Sequence, residues 1–214
     1  MKISHGQYLL VLTSLFTIEW IVLAIDPLYR DDWAMENVLV IVAVVVLASV
    51  YRKSVLSKTS YTLIFIFLCL HEIGAHFTYS EVPYDLWFRN ATGYTFSTLF
   101  NWERNNFDRV IHLCYGLLLT CPIREILLRF VNVAGFLSYL LPLALTMASS
   151  MVYEFIEWAV VELFYQDLGM AYLGTQGDIW DGHKDMALAS LGGLMAMLIA
   201  ASLSIFIGSV KTHD

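Results

Sequence analysis

The sequence predicts an all-α protein, a polytopic bundle of about six transmembrane helices that forms one domain over residues 1–214. Hydrophobic residues make up 58% of the chain and charged residues only 14%, whereas a soluble domain usually carries about 25% charge. The mean hydropathy is +0.65, and long apolar runs with almost no charge are typical of membrane spans. Six such runs leave no room for a soluble domain: 8–25, 37–51, 60–77, 107–121, 136–165 and 180–208.

The segments between these runs alternate in charge, which predicts the orientation of the bundle. Basic residues lie in 52–58, in 124–129 and near both termini. Cytoplasmic loops are rich in Lys and Arg, so both termini and both basic loops are predicted to be cytoplasmic. The inner side then holds seven Lys/Arg and two Asp/Glu, a charge of +5, and the outer side holds five and seventeen, a charge of −12. An alternative for residues 1–24 is a cleaved signal peptide, which Glu19 fits poorly.

The first two runs contain the fewest ionisable residues. Run 8–25 contains one acidic residue, Glu19, and run 37–51 is rich in valine but short for a span at fifteen residues. The three cysteines fall inside predicted spans, where they are expected to be small buried thiols with no disulfide or metal.

The third run ends in HEIGAH at residues 71–76, one residue longer than the zinc-protease motif H-E-x-x-H. In that motif the histidines are four residues apart, about 40° around the helix, and both reach one metal. His71 and His76 are five residues apart, roughly 140° around at 3.6 residues per turn. The protease interpretation is therefore excluded, and Glu72 and His76 share a helix face instead.

The remaining runs place further ionisable side chains at a similar depth, in the outer half of the membrane. At about 1.5 Å per residue, six ionisable side chains lie roughly 8–12 Å below the outer helix ends, while the inner half is nearly pure hydrocarbon. They are Glu19, His71, Glu72, His112, Glu157 and Asp185. Partners three or four residues apart share a helix face. These pairs are Glu72 with His76, Asp108 with His112, Glu154 with Glu157, and Asp181 with Asp185.

Something must neutralise these acids, because an ionisable group in the membrane costs at least ~2.5 kcal/mol. Seven carboxylates face only Arg109 and Lys184 as fixed local cations, so bound protons or bound metal cations must supply the rest. Imidazole with several carboxylates suits zinc, iron or manganese, and the pattern loosely resembles di-metal carboxylate bundles. The predicted metal ligands are His71, His76, Asp108, His112, Glu154, Glu157, Asp181 and Asp185.

The leading hypothesis for function is metal-assisted hydrolysis or modification of a lipid or lipid-linked substrate. Glu72 or Glu157 would act as the base, and Arg109, Arg89 or Arg104 would hold an anionic headgroup. No Ser or Cys nucleophile with a supporting base is visible, which disfavours covalent catalysis. Two alternatives stay open: a proton- or cation-coupled transporter, and a non-catalytic assembly protein with a structural ion. No nucleic-acid partner is predicted.

Three further features have mainly structural interpretations. The aromatic-rich connection 78–106 is expected to lie in the headgroup zone, in preference to forming a substrate lid. Asp178 is expected to cap the last helix or to join the site. Gly192 and Gly193 predict a helix-packing face together with neighbouring alanines.

Five sequence segments carry a resemblance to a known family. They read HEIGAHFTYSEVPYD, NNFDRVIHLCYGLLL, PIREI, YEFIEW and GTQGDIWDGHKDMALA. With these segments the chain resembles the YjdF-like bacterial inner-membrane proteins over roughly residues 60–195. The resemblance implies a multi-pass protein of the cell inner membrane. It implies no biochemical activity and no catalytic residues.

Overall fold

The computed structural model describes residues 3–53, 56–164 and 175–211, and all regular secondary structure among them is helical. This confirms the predicted all-α class. Most of the predicted outer loop 166–179 and both chain ends lie outside the described residues. The helices are α1 His5–Leu23, α2 Arg30–Lys53, α3 Lys58–His76, α4 Tyr84–Thr92, α5 Phe96–Phe100, α6 Phe107–Phe130, α7 Leu137–Phe164 and α8 Asp181–Lys211.

Within the described part of the chain, five helices are long and apolar enough to cross a membrane: α1, α2, α6, α7 and α8. The third predicted span, 60–77, corresponds to α3, which has 19 residues. Lys58, His71, Glu72 and His76 lower its mean hydropathy, yet it packs against α1, α2 and α6 inside the bundle. The polytopic helical bundle is thereby confirmed, while the cytoplasmic location of the termini stays a prediction.

Two helices extend well beyond their predicted ends. Helix α2 begins at Arg30 instead of residue 37, which gives it 24 residues and removes the apparent shortness of this span. Asp31 and Asp32 lie in its first turn, where negative charge interacts favourably with the helix dipole. Helix α6 continues through Pro122 to Phe130, since membrane helices tolerate proline where neighbouring groups satisfy the freed backbone. The predicted basic loop 124–129 is therefore helical.

Helices α6 and α8 pack backbone against backbone. A Cβ atom placed on Gly116 would lie 1.9 Å from the carbonyl oxygen of Ala189, and one on Gly192 would lie 2.2 Å from that of Leu113. Such close approach is possible only with small residues, which are the usual means of helix association in membranes. The predicted packing face is confirmed, and it fixes the relative position of the two helices that carry the candidate site.

The connection between α3 and α6 contains the two short helices. The carboxylate of Asp85, in α4, accepts a hydrogen bond from the backbone N–H of Phe96 at 2.8 Å and so ties the start of α5 to α4. The ring of Phe96 stacks on Phe88 with 4.1 Å between centroids. On the outer surface Trp87 and Phe100 remain exposed, as an interfacial segment requires. Its location in the headgroup zone stays a prediction.

Candidate metal centre

Three side chains from α6 and α8 converge on one point near the acidic end of the bundle. Asp108 and His112 lie one turn apart on α6, and Asp185 lies in the second turn of α8. One carboxylate oxygen of each aspartate and one ring nitrogen of His112 all lie within 4.8 Å of one another. Asp185 and His112 are 2% and 8% exposed. The close contact between α6 and α8 is therefore what brings these donors together.

Glu154 of α7 adds a fourth donor to this group. The Nε2 atom of His112 lies 3.6 Å from Oε1 of Glu154 and 3.5 Å from Oδ1 of Asp108. Gly182 makes room for the Glu154 carboxylate, because a Cβ at that position would lie 2.6 Å from Oε2. Three helices thus contribute to one donor set.

The donor set suits a divalent metal such as zinc, iron or manganese. Two ligand atoms about 2.1 Å from a tetrahedral metal lie roughly 3.4 Å apart, close to the two distances measured from His112. Among the described residues, Oε1 of Glu154 and Oδ1 of Asp185 are buried without a hydrogen-bond partner. Burying such atoms unpaired is costly, and a coordinated cation would offset that cost.

The carboxylate of Asp181, a predicted metal ligand, is bound by arginine side chains instead. Its carboxylate forms ion pairs with Arg104 and, at 3.1 Å, with Arg109. Arg109 also contacts Asp178 at 2.5 Å. Asp181 and Arg109, which was predicted as a catalytic residue, are therefore held in an ion-pair network between α6 and the start of α8.

Asp178 combines the two roles considered for it. Its Oδ1 accepts a hydrogen bond from the backbone N–H of Trp180 at 3.1 Å, just before α8 begins. Its Oδ2 contacts Lys184 at 2.5 Å and Arg109 at 2.5 Å. Lys184 first, and then this N–H group and Arg109, lower the pKa of the Asp178 carboxyl to about 2. The charged form thus joins the start of α8 to α6.

His71 uses both ring nitrogens in hydrogen bonds and does not join the donor set. Its Nε2 lies 3.3 Å from the backbone carbonyl oxygen of Glu36, and its Nδ1 lies 2.6 Å from the hydroxyl of Tyr79. A carbonyl oxygen can only accept, so for a neutral ring Nε2 carries the proton and the Tyr79 hydroxyl donates to Nδ1. This pairing occupies the lone pair that a metal would need.

The remaining predicted site residues are His76, Glu72 and Glu157, none of which belongs to the three-residue group. The Nδ1 atom of His76 lies 2.8 Å from the carbonyl oxygen of Leu23. Glu72 is completely buried beside α1 and α2, near Glu19 and Asn37. Glu157 lies one turn beyond Glu154 on α7, within electrostatic reach of it. The structure therefore places Glu154 beside the centre and Glu157 one turn further along α7, and it places His76 and Glu72 elsewhere.

Sequence reasoning missed Glu36 and Tyr153. Glu36 is 8% exposed, and the hydroxyl of Tyr153 donates to its carboxylate at 3.4 Å. Glu36 was assigned to an outer loop because the predicted span began at residue 37. Acidic residues are typical of a first helical turn, and Asp31 and Asp32 just before a valine-rich run are the signal that could have placed Glu36 inside the helix.

Tyr79 is a third missed residue, and its position depends on the backbone. It has φ of +45° and follows Thr78, which has φ of +53°, a region that costs energy for residues other than glycine and is often found at functional sites. Gly74 makes room for the ring, since a Cβ there would lie 2.4 Å from it. Burial raises the pKa of the Tyr79 hydroxyl well above its usual value. Nothing in the sequence alone indicates this arrangement.

A cavity of about 430 Å³ begins at the donor set and continues along one face of α6. His71, Tyr79, Asp108, His112 and Tyr153 line its polar end. Deeper in the membrane its wall is almost entirely hydrocarbon, from α2, α3 and α6. The lining residues of α6 follow helical spacing and include Asp108, His112, Tyr115, Leu119, Ile123 and Ile126.

Comparisons with known proteins agree with this architecture. A family model described as predicted membrane protein (DUF2238) matches residues 8–204, which include every residue of the candidate site. The inner membrane protein YjdF of Escherichia coli (strain K12) is 33% identical over 171 residues, which cover 79% of this chain and 77% of that protein. No solved structure matches the chain. With the apolar helices, these matches confirm a multi-pass inner-membrane protein. The chain belongs to the DUF2238 family of membrane proteins.

Proposed function

We propose that the protein is a metal-dependent enzyme that hydrolyses or modifies a lipid or lipid-linked substrate within the membrane. One observation carries this proposal: Asp108 and His112, two of the three candidate ligands, line a cavity whose remaining wall is mainly apolar. Its volume of about 430 Å³ falls within the range of ligand sites, about 300–1,000 Å³. A lipid needs this combination, because its reactive group is polar and its chains are hydrocarbon.

In this proposal Asp108, His112 and Asp185 would hold a divalent cation, as three protein ligands do in catalytic zinc sites. Such a cation would supply a water acidic enough to lose a proton at neutral pH. Glu154, whose Oε1 lies 3.6 Å from Nε2 of His112, would not bind the cation in this proposal and would accept that proton. The water oxygen then attacks the phosphorus or carbonyl centre, the bond to the leaving oxygen breaks, and Glu154 returns the proton to that oxygen. Glu157 is the second candidate base.

The predicted roles of two other residues change in this proposal. Arg109 is a positioning residue, since its ion pairs with Asp178 and Asp181 hold the start of α8 against α6. Glu72 lies on the α1 and α2 side of α3, so we assign it no part in the proton transfer.

Metal analysis tests the first half of the proposal. Protein purified in mild detergent without chelator should retain or rebind about one equivalent of zinc, iron or manganese per chain. His112→Ala should lose this metal, whereas the control His183→Ala, an exposed histidine near the same end of α8, should keep it. Less than about one tenth of an equivalent, with no binding on titration, would refute the metal centre.

Turnover tests the second half. Metal-loaded protein is incubated with total bacterial membrane lipid, and new products are sought by mass spectrometry with Asp185→Asn as the matched inactive control. Products that depend on Asp185 support the enzyme. If Asp185-dependent cation or proton flux appears in liposomes without any product, the enzyme proposal is wrong and a carrier replaces it.

A further inference from the structure

Ser150, on α7, is a buried polar residue of the cavity wall. Its side chain lines the cavity and is 3% exposed. In the described part of the structure its hydroxyl has no hydrogen-bond partner. The adjacent hydroxyl of Ser149 donates to the carbonyl of Leu145 at 2.7 Å and contacts the Tyr115 hydroxyl at 2.5 Å. Buried hydroxyls are normally paired, so the unpaired Ser150 indicates a ligand group with a hydrogen-bond acceptor.

Ser150 lies below the donor set. It precedes Glu154 by four residues, about 6 Å along α7 at 1.5 Å per residue, in the direction of the membrane interior. Tyr115 of α6 marks the same level, because it contacts the neighbouring Ser149. The polar features therefore follow one another: first the candidate metal ligands, then one hydroxyl a helical turn deeper, then hydrocarbon.

The hydrocarbon part of the cavity has the length of one lipid chain. Its α6 wall continues from Tyr115 to Ile126, eleven residues or about 17 Å. Half of a bilayer core about 30 Å thick is roughly 15 Å. On the α2 wall Val42 and Val46 are 53% and 48% exposed, so this side of the cavity is open and a chain can enter from the surrounding lipid.

Resting on the proposed function for the headgroup position, we infer that the substrate is an acylated glycerol phosphate lipid. Its phosphate would lie at the cation that Asp108, His112 and Asp185 would hold, an ester carbonyl would accept a hydrogen bond from Ser150, and one acyl chain would lie along α6. In such a lipid the ester carbonyls lie between the phosphate and the chain. A polyprenyl phosphate has hydrocarbon directly after the phosphate and offers Ser150 no acceptor.

The test compares a diacyl phosphatidic acid with its diether analogue, in which both carbonyl oxygens are absent. Binding to the detergent-solubilised full chain is measured by native mass spectrometry with added zinc, in the cold so that little turnover occurs. A parallel measurement with chelator shows how far binding of the phosphate depends on the metal. The wild type should prefer the ester lipid by about three- to tenfold, the effect of one hydrogen bond. Ser150→Ala should abolish this preference. Ser49→Ala, which removes an exposed α2 hydroxyl bonded to its own helix, should retain it.

Three outcomes overturn the inference. Equal binding of the two lipids to wild type, or an ester preference that survives in Ser150→Ala, removes the role of Ser150. Stronger binding of undecaprenyl phosphate than of the ester lipid assigns the cavity to lipid-linked carriers instead. The wild-type comparison needs no variant to fold, and a missing metal would be detected separately by metal analysis.

Discussion

Replacing Gly116 by alanine is expected to damage both the fold and the candidate metal site. The added Cβ would lie 1.9 Å from the carbonyl oxygen of Ala189 and 2.5 Å from the backbone nitrogen of Gly193. Both neighbours are backbone atoms of α8, which cannot rotate out of the way as a side chain can. Relief therefore requires the two helices to separate.

The size of that separation follows from the contact distances. An ordinary Cβ contact is at least 3.4 Å, so the helices must move apart by about 1.5 Å. Overpacking of this kind costs about 1–3 kcal/mol of stability. His112 lies one turn from Gly116 on α6 and Asp185 lies one turn from Ala189 on α8, so the same movement separates two candidate ligands. Metal sites tolerate distance changes of only about 0.2 Å, and we expect metal affinity to fall about tenfold or more.

The assay measures thermal unfolding in detergent and zinc affinity by calorimetry for wild type and Gly116→Ala. Gly6→Ala is the matched control, since no atom lies within 4 Å of a Cβ at that position in α1 and alanine is favoured over glycine in a helix. The control should be as stable as wild type or slightly more stable. A Gly116→Ala protein with unchanged unfolding and unchanged zinc affinity would refute the reasoning.

Three further predictions concern the acidic end of the bundle. Gly74→Ala should cost about 1–3 kcal/mol, read from thermal unfolding, because the new Cβ would lie 2.4 Å from the ring of Tyr79; unchanged stability would contradict this packing. Asp181→Ala should destabilise by about 3 kcal/mol, since it leaves its two arginine partners with one carboxylate fewer; chemical unfolding measures this, and a loss below about 0.5 kcal/mol would contradict it. The lowered pKa of Asp178, about 2 against 3.8, means that its contact with Lys184 stabilises the fold above pH 4 and is lost as the pH falls from about 4 to 2; a carboxyl NMR titration with a midpoint near 4 would contradict this.

The helical spans could be predicted because the membrane permits few alternatives. In hydrocarbon every backbone group must be satisfied within the segment, so an apolar run of sufficient length is a helix. Hydropathy marks the hydrocarbon zone, however, and not the helix ends. Helix α2 continues through charged residues from Arg30, and α6 continues through Pro122 to Phe130. These ends depend on capping and on neighbouring helices, which hydropathy does not record.

The residue types of the candidate site could be predicted from the sequence. Which of the candidate residues meet in the structure could not. The i,i+4 spacing of Asp108 and His112 and the depth of Asp185 are local properties, and the structure brings these three together. Whether a polar side chain joins them depends on contacts between distant segments. Tyr79, which lies in the loop after α3, hydrogen-bonds to Nδ1 of His71 and so occupies its lone pair. No spacing rule along a single helix predicts that contact.

The two sides of the candidate site differ in how firmly they are held. On one side, α6 and α8 are locked by backbone contact at Gly116, which positions His112 and Asp185. On the other side, the contact between α2 and α7 at the polar end includes the Tyr153–Glu36 hydrogen bond at 3.4 Å, longer than the usual 2.7–2.8 Å for two oxygens. The proposed function requires this division, since the metal ligands must stay fixed while a lipid chain enters and leaves. The exposed Val42 belongs to the weaker side, so under the proposed function the lipid entrance lies between α2 and α7.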